Sequence, residues 1–169
     1  FADKEGISEL VSMAMRGDVG VVGARSYYKN GTLEHAGCVI GMNGTAGSLF
    51  EHTLRGENGY FSHIVTQMQY SAVAGACMMV KKDIFEKVNG FDEGYKGELG
   101  KVDLCLKIRN KHISVVYNPY VEMVRWSNEL QNNENDEKIF KKQWAEILEK
   151  GDPYYNKNLS LSVSGCNIR

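Results

Sequence analysis

Apolar residues at Ile7, Leu10, Val11, Ala14 and Met15 recur at helical spacing, so the chain opens on an amphipathic helix that stops near Arg16-Gly17. The next run, Val19 to Ala24, is apolar on both faces and bounded by glycines, the pattern of a buried strand in a sheet covered on both sides. Lys29 to Thr32 carries Asn-Gly and predicts a tight turn, followed by a short strand from Cys38 to Met42. From Asn43 to Gln69 the periodicity fades. This predicts an irregular excursion over the surface with one helical turn near Tyr60 to Ile64, and a binding lid or an ordinary packed connection fits it equally.

The densest stretch is Ser71 to Lys107. It predicts a buried strand from Ala72 to Val80, then a helix from Ile84 to Val88 with Asp83 as N-cap and Asn89-Gly90 as stop. An acidic turn from Phe91 to Gly100 leads into a helix lined by Val102, Leu104, Cys105, Leu106 and Ile108. Ile113 to Tyr117 is a β-branched strand closed by Asn118-Pro119, because proline cannot donate to a ladder, and Val121 to Val124 is a further short strand. Asn132 to Asp136 is polar and loop-like. Ile139, Trp144, Ile147 and Leu148 place a last helix up to Lys150, and beyond Gly151-Asp152-Pro153 the pattern is that of an irregular tail. Strands alternating with helices and long connections indicate an α/β fold, a mixed sheet with flanking helices.

Composition narrows the function classes. A chain of 169 residues, 43% hydrophobic, can build one sizeable core and is read as a single domain, 1–169. A net charge of −1 with both signs interspersed gives no electrostatic footprint for nucleic acid. No apolar run approaches the roughly 18 residues of a membrane span, and there is no basic stretch followed by an apolar core at the start. Cys38, Cys77, Cys105 and Cys166 lie singly in mostly apolar surroundings without metal or redox spacing, which predicts free thiols and a reducing, cytoplasmic setting. Beginning at Phe1 and entering a helix almost at once, the chain reads as a piece of a longer polypeptide.

The glycines of Val19 to Ala24 lack the lysine and hydroxyl residue, or the third glycine, of a phosphate loop. Ser12, Ser48 and Ser71 are not in nucleophile-elbow context, and the four histidines are too dispersed for zinc and read as surface or structural. What remains is a group of acids, Asp92, Glu93, Glu98 and Asp103. A carboxylate where a loop enters a helix can act as a general base, while Asp103 near a helix start can equally complement the helix dipole.

The combination SAVAGACMMVKKDIFEKVNGFDE followed by VDLCLKIRNKHISVVYNPY resembles the C-terminal half of the inverting family-two glycosyltransferases, especially the bacterial ones that build rhamnose-containing and other surface polysaccharides. RGDVGVVGARSYYKNGTLEHAGCVIG and DPYYNKNLSL fit the same family in the same order. The resemblance implies a GT-A fold and transfer of a sugar from a nucleotide diphosphate donor to a hydroxyl on a glycan or lipid-linked acceptor. It implies a divalent metal, Mn or Mg, held by an Asp-x-Asp motif that would lie upstream of Phe1, with the donor half, and a carboxylate that deprotonates the acceptor. It also implies membrane association through the rest of the parent protein. Carried onto this chain, the resemblance marks Asp103, Glu98 and Lys101 for catalysis and Gly75, Ala74, Asp92, Arg125 and Trp126 for substrate binding, with no metal ligand among these residues.

The chain departs from the family at two places. Where relatives begin the helix after the acidic turn with the presumed base, Gly100-Lys101-Val102-Asp103-Leu104 puts Lys101, and an ammonium at pH 7 accepts no proton. Where the family has a histidine pair, Arg125-Trp126 stands, able to contact phosphate oxygens but not to ligate a metal as imidazole does. Three readings follow: a divergent transferase with Glu98 or Asp103 as base and Arg125 on the diphosphate; a non-catalytic sugar-binding or scaffold domain; or a preserved core whose function lies elsewhere. A half sheet without its other half exposes a strand edge, which predicts self-association or a domain-swapped homodimer.

Overall fold

The computed structural model describes residues 4–126 and 131–168. Helix α1 (Gly6–Ala14) precedes the central strand β1 (Val19–Tyr27). Two short strands, β2 (Leu33–His35) and β3 (Cys38–Ile40), lead to β4 (Ala46–Ser48). Strands β5 (Met68–Gln69) and β6 (Met78–Val80) precede helices α2 (Lys82–Lys87) and α3 (Leu99–Arg109), and the long strand β7 (Ser114–Val124) is followed by α4 (Glu134–Gln143) and α5 (Ala145–Lys150).

The main sheet is mixed, ordered β2-β1-β7-β5, with β6 also on β1; β3 and β4 form a separate antiparallel pair. Along one edge β1 pairs in parallel with β7. Along the other it pairs antiparallel first with β6, through Val21 to Gly23, and then with β2, through Ser26 and Tyr27. The chain between Val73 and Cys77 leaves the sheet where β1 passes from β6 to β2. Gly23 makes this possible, since a Cβ there would sit 2.4 Å from Val73 Cβ.

One face of the sheet packs Leu10, Met13 and Ala14 of α1 onto Val19, Val22, Val116 and Val121. The opposite face holds the larger core, where α3 is buried almost all round through Leu99, Val102, Leu104, Cys105, Leu106 and Ile108. Covering both faces is what the doubly apolar β1 requires. The outer side of α1 keeps Ile7, Val11 and Met15 exposed, a ridge at helical spacing.

Several boundaries differ from the sequence expectation for physical reasons. Ala72 to Val80 is not one strand: Ala72 makes an isolated bridge to Cys38, and the ladder resumes only at Met78, which is half-buried. The N-cap of α2 is Lys81 in extended geometry, with Asp83 inside the first turn, and Asn89 and Gly90 then end the helix in left-handed conformation as expected. Pro119 does not divide β7. The register jumps from Ala24 opposite Asn118 to Arg25 opposite Glu122, so the proline sits in a bulge that omits its missing donor from the ladder.

The stretch expected as a loop already starts α4, because Asn133 and Asp136 form a reciprocal capping box. The expected last helix is broken at Trp144, between α4 and α5. The excursion from Asn43 to Gln69 is a packed connection: Leu49, Phe50 and Ile64 are buried, and the Ile64 carbonyl accepts from Tyr117 Oη at 2.8 Å. The C-terminal segment is also pinned, since buried Asp152 accepts from Ser71 Oγ (2.6 Å) and the Ile40 amide (2.8 Å). All four cysteines are free; three are buried and Cys77 is half-buried. Among the described residues no helix is long and apolar enough to cross a membrane.

Candidate functional site

The gap where Val73 to Cys77 leaves the sheet opens into a polar cleft of about 390 Å³. Ala74 and Gly75 form one wall, Glu98 and Leu99 at the start of α3 another, and Gly47, Glu51, Asn132 and Glu137 stand around the rim. The Ala74 wall is fixed from beneath: its amide donates to His35 Nε2 at 3.1 Å. Burial pushes the His35 imidazole down to about 3, so it is neutral. The Gly37 amide lies 3.3 Å from both ring nitrogens, and Nδ1 is 3.7 Å from Cys38 Sγ. His35 is therefore a structural member of the wall. Opposite it, Asn132 Oδ1 accepts from the Leu99 amide at 2.8 Å and satisfies one of the orphan donors at the start of α3.

Four charges of alternating sign run from the core to this cleft. Buried Glu34 accepts from Arg125 Nη1 at 2.6 Å, and Arg125 Nη2 donates to Glu98 Oε1 at 3.2 Å. Lys101 Nζ lies 3.1 Å from that same Glu98 oxygen. Burial works against the charge on Arg125, but hydrogen bonds and attraction from Glu34 and Glu98 outweigh it and hold the guanidinium above its ordinary value. The stem of Lys101 lies across Gly75, so close that a Cβ on residue 75 would meet Lys101 Cδ at 2.4 Å. Two cations on one oxygen fix the rotamer of Glu98 at the cleft wall.

The fold thus brings together Ala74, Gly75, Glu98, Lys101 and Arg125, and places the other candidates elsewhere. Asp103, on the same helix as Lys101, has no exposed surface and is covered by α4. Its Oδ1 accepts from Gln143 Nε2 (2.7 Å) and Trp144 Nε1 (3.0 Å), and Lys107 Nζ lies 3.3 Å from Oδ2 without forming a well-aligned hydrogen bond. Burial pushes this carboxyl up, against the opposing pull of Lys107 and the Trp144 hydrogen bond. Asp92 closes its own turn by accepting from the Gly94 amide at 2.8 Å. Trp126 is exposed, with the Lys29 ammonium 5.2 Å from its ring centre.

Glu34, His35, Glu51, Asn132 and Glu137 are the site neighbours that pattern reading missed. Glu34 and His35 are adjacent in a three-residue strand, and only the pairing of β2 with β1 shows that both are buried. Among the described residues no group of three or more His, Cys, Asp or Glu side chains could hold a metal ion. The cleft carboxylate Glu98 is already engaged by two cations.

These features define an α/β fold with a carboxylate-bearing polar cleft at the split edge of a mixed sheet. The chain is 31% identical over 175 aligned positions to the O-antigen biosynthesis protein RfbC of Myxococcus xanthus, a match that covers 99% of this chain and 14% of that protein. It is 36% identical over 168 positions to an uncharacterized protein, y4gI, of Sinorhizobium fredii, covering 92% of this chain and 18% of that one. The chain thus spans less than a fifth of the length of either relative. No family model and no solved structure matches it.

Proposed function

We propose that this chain is the acceptor-side segment of a GT-A glycosyltransferase that uses a nucleotide-diphosphate sugar in surface polysaccharide synthesis, with Glu98 as the general base. Similarity to an O-antigen biosynthesis protein along nearly the whole chain supports the pathway class, and the mixed sheet with helices on both faces is compatible with the fold. The observation that carries the role of Glu98 is its position: it lines the cleft beside Ala74 and Gly75, held there by Lys101 and Arg125. Asp103 is assigned to holding α3 against α4.

In this reading an acceptor hydroxyl in the cleft gives its proton to Glu98 as its oxygen attacks the anomeric carbon. The bond from that carbon to the nucleotide diphosphate breaks on the opposite face, and its electron pair leaves with the diphosphate, so configuration inverts. Lys101 and Arg125 are positioning residues that orient the carboxylate. The donor and the expected divalent cation belong to residues outside this chain, and no step here runs through the cation. The exposed ridge of α1 is a surface that the rest of such a polypeptide would cover.

Nucleotide-sugar turnover by the full-length protein tests the proposal. Transfer to a glycan acceptor, lost on Glu98→Gln, supports it. Binding of UDP- or dTDP-sugars with no turnover at all would establish the non-catalytic reading instead.

A further inference from the structure

A separate cavity of about 590 Å³ opens at the far end of α3, between the last turn of that helix and the break that divides α4 from α5. It shares no lining residue with the cleft, and the 11 residues of α3 set the two apart by about 16 Å. Leu106, Trp144, Ile147 and Pro153 give it an apolar lining, and Arg109 stands among them. Arg109 is fixed in place by its surroundings. Its Nη1 donates to Ser71 Oγ at 2.7 Å, Ser71 Oγ donates in turn to buried Asp152 at 2.6 Å, and the guanidinium carbon lies 4.7 Å from the centre of the Tyr154 ring.

Among the described residues no acidic side chain forms an ion pair with Arg109, and its Nε and Nη2 make no hydrogen bond. The acids nearby are already engaged. Asp152 accepts from Ser71 Oγ and from the Ile40 and Tyr154 amides, and Glu146 is tied to Lys150 at 2.6 Å. The Nε and Nη2 edge of a guanidinium holds a carboxylate through two parallel hydrogen bonds. We propose that this cavity binds a small carboxylic acid with an apolar, ring-sized body, its carboxylate on that edge of Arg109 and its body against Trp144, Ile147 and Pro153. Charge complementarity selects the class: with Asp152 and Glu146 lining the same cavity, a singly charged carboxylate meets less repulsion than a doubly charged phosphate. The inference does not depend on the transferase reading.

Calorimetric titration of the full-length protein with 3-phenylpropionate, 3-phenylpropanol, acetate and inorganic phosphate reads the proposal without turnover. The apolar acid should bind more tightly than the alcohol, which lacks the anion, and than acetate, which lacks the body. Arg109→Met should bring 3-phenylpropionate down to the affinity of the alcohol. Arg109→Lys, which keeps the charge and loses the fork, should weaken the acid about tenfold. Pro153→Glu sets a like charge at the exposed rim and should weaken it as well. Thermal melting of each variant separates loss of binding from loss of fold.

Equal affinity for acid and alcohol would overturn the proposal, as would no binding of 3-phenylpropionate or a well-folded Arg109→Met protein that binds it like the parent. Inorganic phosphate bound more tightly than the acid, and lost with Arg109→Met, would overturn the ligand class. If Arg109→Met does not fold, Arg109→Lys and Pro153→Glu decide the matter: parental affinity in both rejects the site, and weakened binding in both supports it.

Discussion

Replacing Asp103 with alanine removes the acceptor that ties α3 to α4. Two donors lose their partner at once: Gln143 Nε2 at 2.7 Å and Trp144 Nε1 at 3.0 Å. Lys107 Nζ, an ion-pair neighbour 3.3 Å from Oδ2, is partly exposed and keeps its hydrogen bond to the Gly90 carbonyl at 2.6 Å, so its loss is the smaller one. A hydrogen bond to a charged group contributes about 1.5–3 kcal/mol, and a buried donor left without a partner costs about 1–3 kcal/mol. Against this, the native state no longer has to bury a carboxylate. The net expectation is a loss of about 3 kcal/mol, or roughly 6–12 °C in melting temperature for a chain of this size.

The substitution Asp103→Asn separates the two contributions. The amide carbonyl it introduces can still accept from Gln143 and Trp144, so this variant should lose only about 1 kcal/mol. The pH dependence should change as well. The folded-state carboxyl is held above its ordinary value of 3.8, so as pH rises through this window the folded chain retains protons that the unfolded chain has lost, and stability falls. Asp103→Asn should remove that falling limb. Chemical denaturation across pH, read by circular dichroism, measures both effects. An alanine variant less than about 1 kcal/mol below the parent, or an asparagine variant as damaged as alanine, would refute the tie.

Arg125→Met should destabilise by about 3–5 kcal/mol, because it leaves the buried Glu34 carboxylate unpaired, and the added change Glu34→Gln should recover much of that in a denaturant titration. Gly23→Ala should cost about 3 kcal/mol in the same assay, since the new methyl would lie 2.4 Å from the Cβ of stiff, buried Val73. His35, pushed from its ordinary 6.5 down to about 3, binds a proton more readily unfolded than folded. Stability should therefore fall by up to about 1.4 kcal/mol per pH unit as pH drops from 6.5 towards 3, and a His35→Gln variant with the same slope would contradict this.

Much of the architecture is legible in local pattern. The apolar runs mark β1, α3 and the first half of β7, and Asn89-Gly90 marks the end of α2, because these signals depend on burial or on backbone angles that few residues adopt. Ala72 to Val80 misleads, because small apolar residues are compatible with a strand while the close approach of Val73 to Gly23 is a tertiary event. The site divides in the same way. Glu98, Lys101, Ala74 and Gly75 lie within the stretch that pattern singled out, and the fold gathers them at one cleft. Glu34 and Asn132 come from distant segments with no periodic signal, and only strand pairing and the fit of Asn132 onto the start of α3 bring them in. The buried state of Asp103 depends on Gln143 and Trp144, some forty residues further along.

The role of Glu98 is tested most directly by sugar transfer from a nucleotide-diphosphate donor in the full-length protein, with Glu98→Gln and Asp103→Asn compared well below their melting temperatures. Glu98→Gln should lower kcat by about 10²–10⁴ with nucleotide-sugar binding retained, the span of a lost general base, while Asp103→Asn stays close to the parent. Undiminished turnover by a folded Glu98→Gln protein would contradict the assignment.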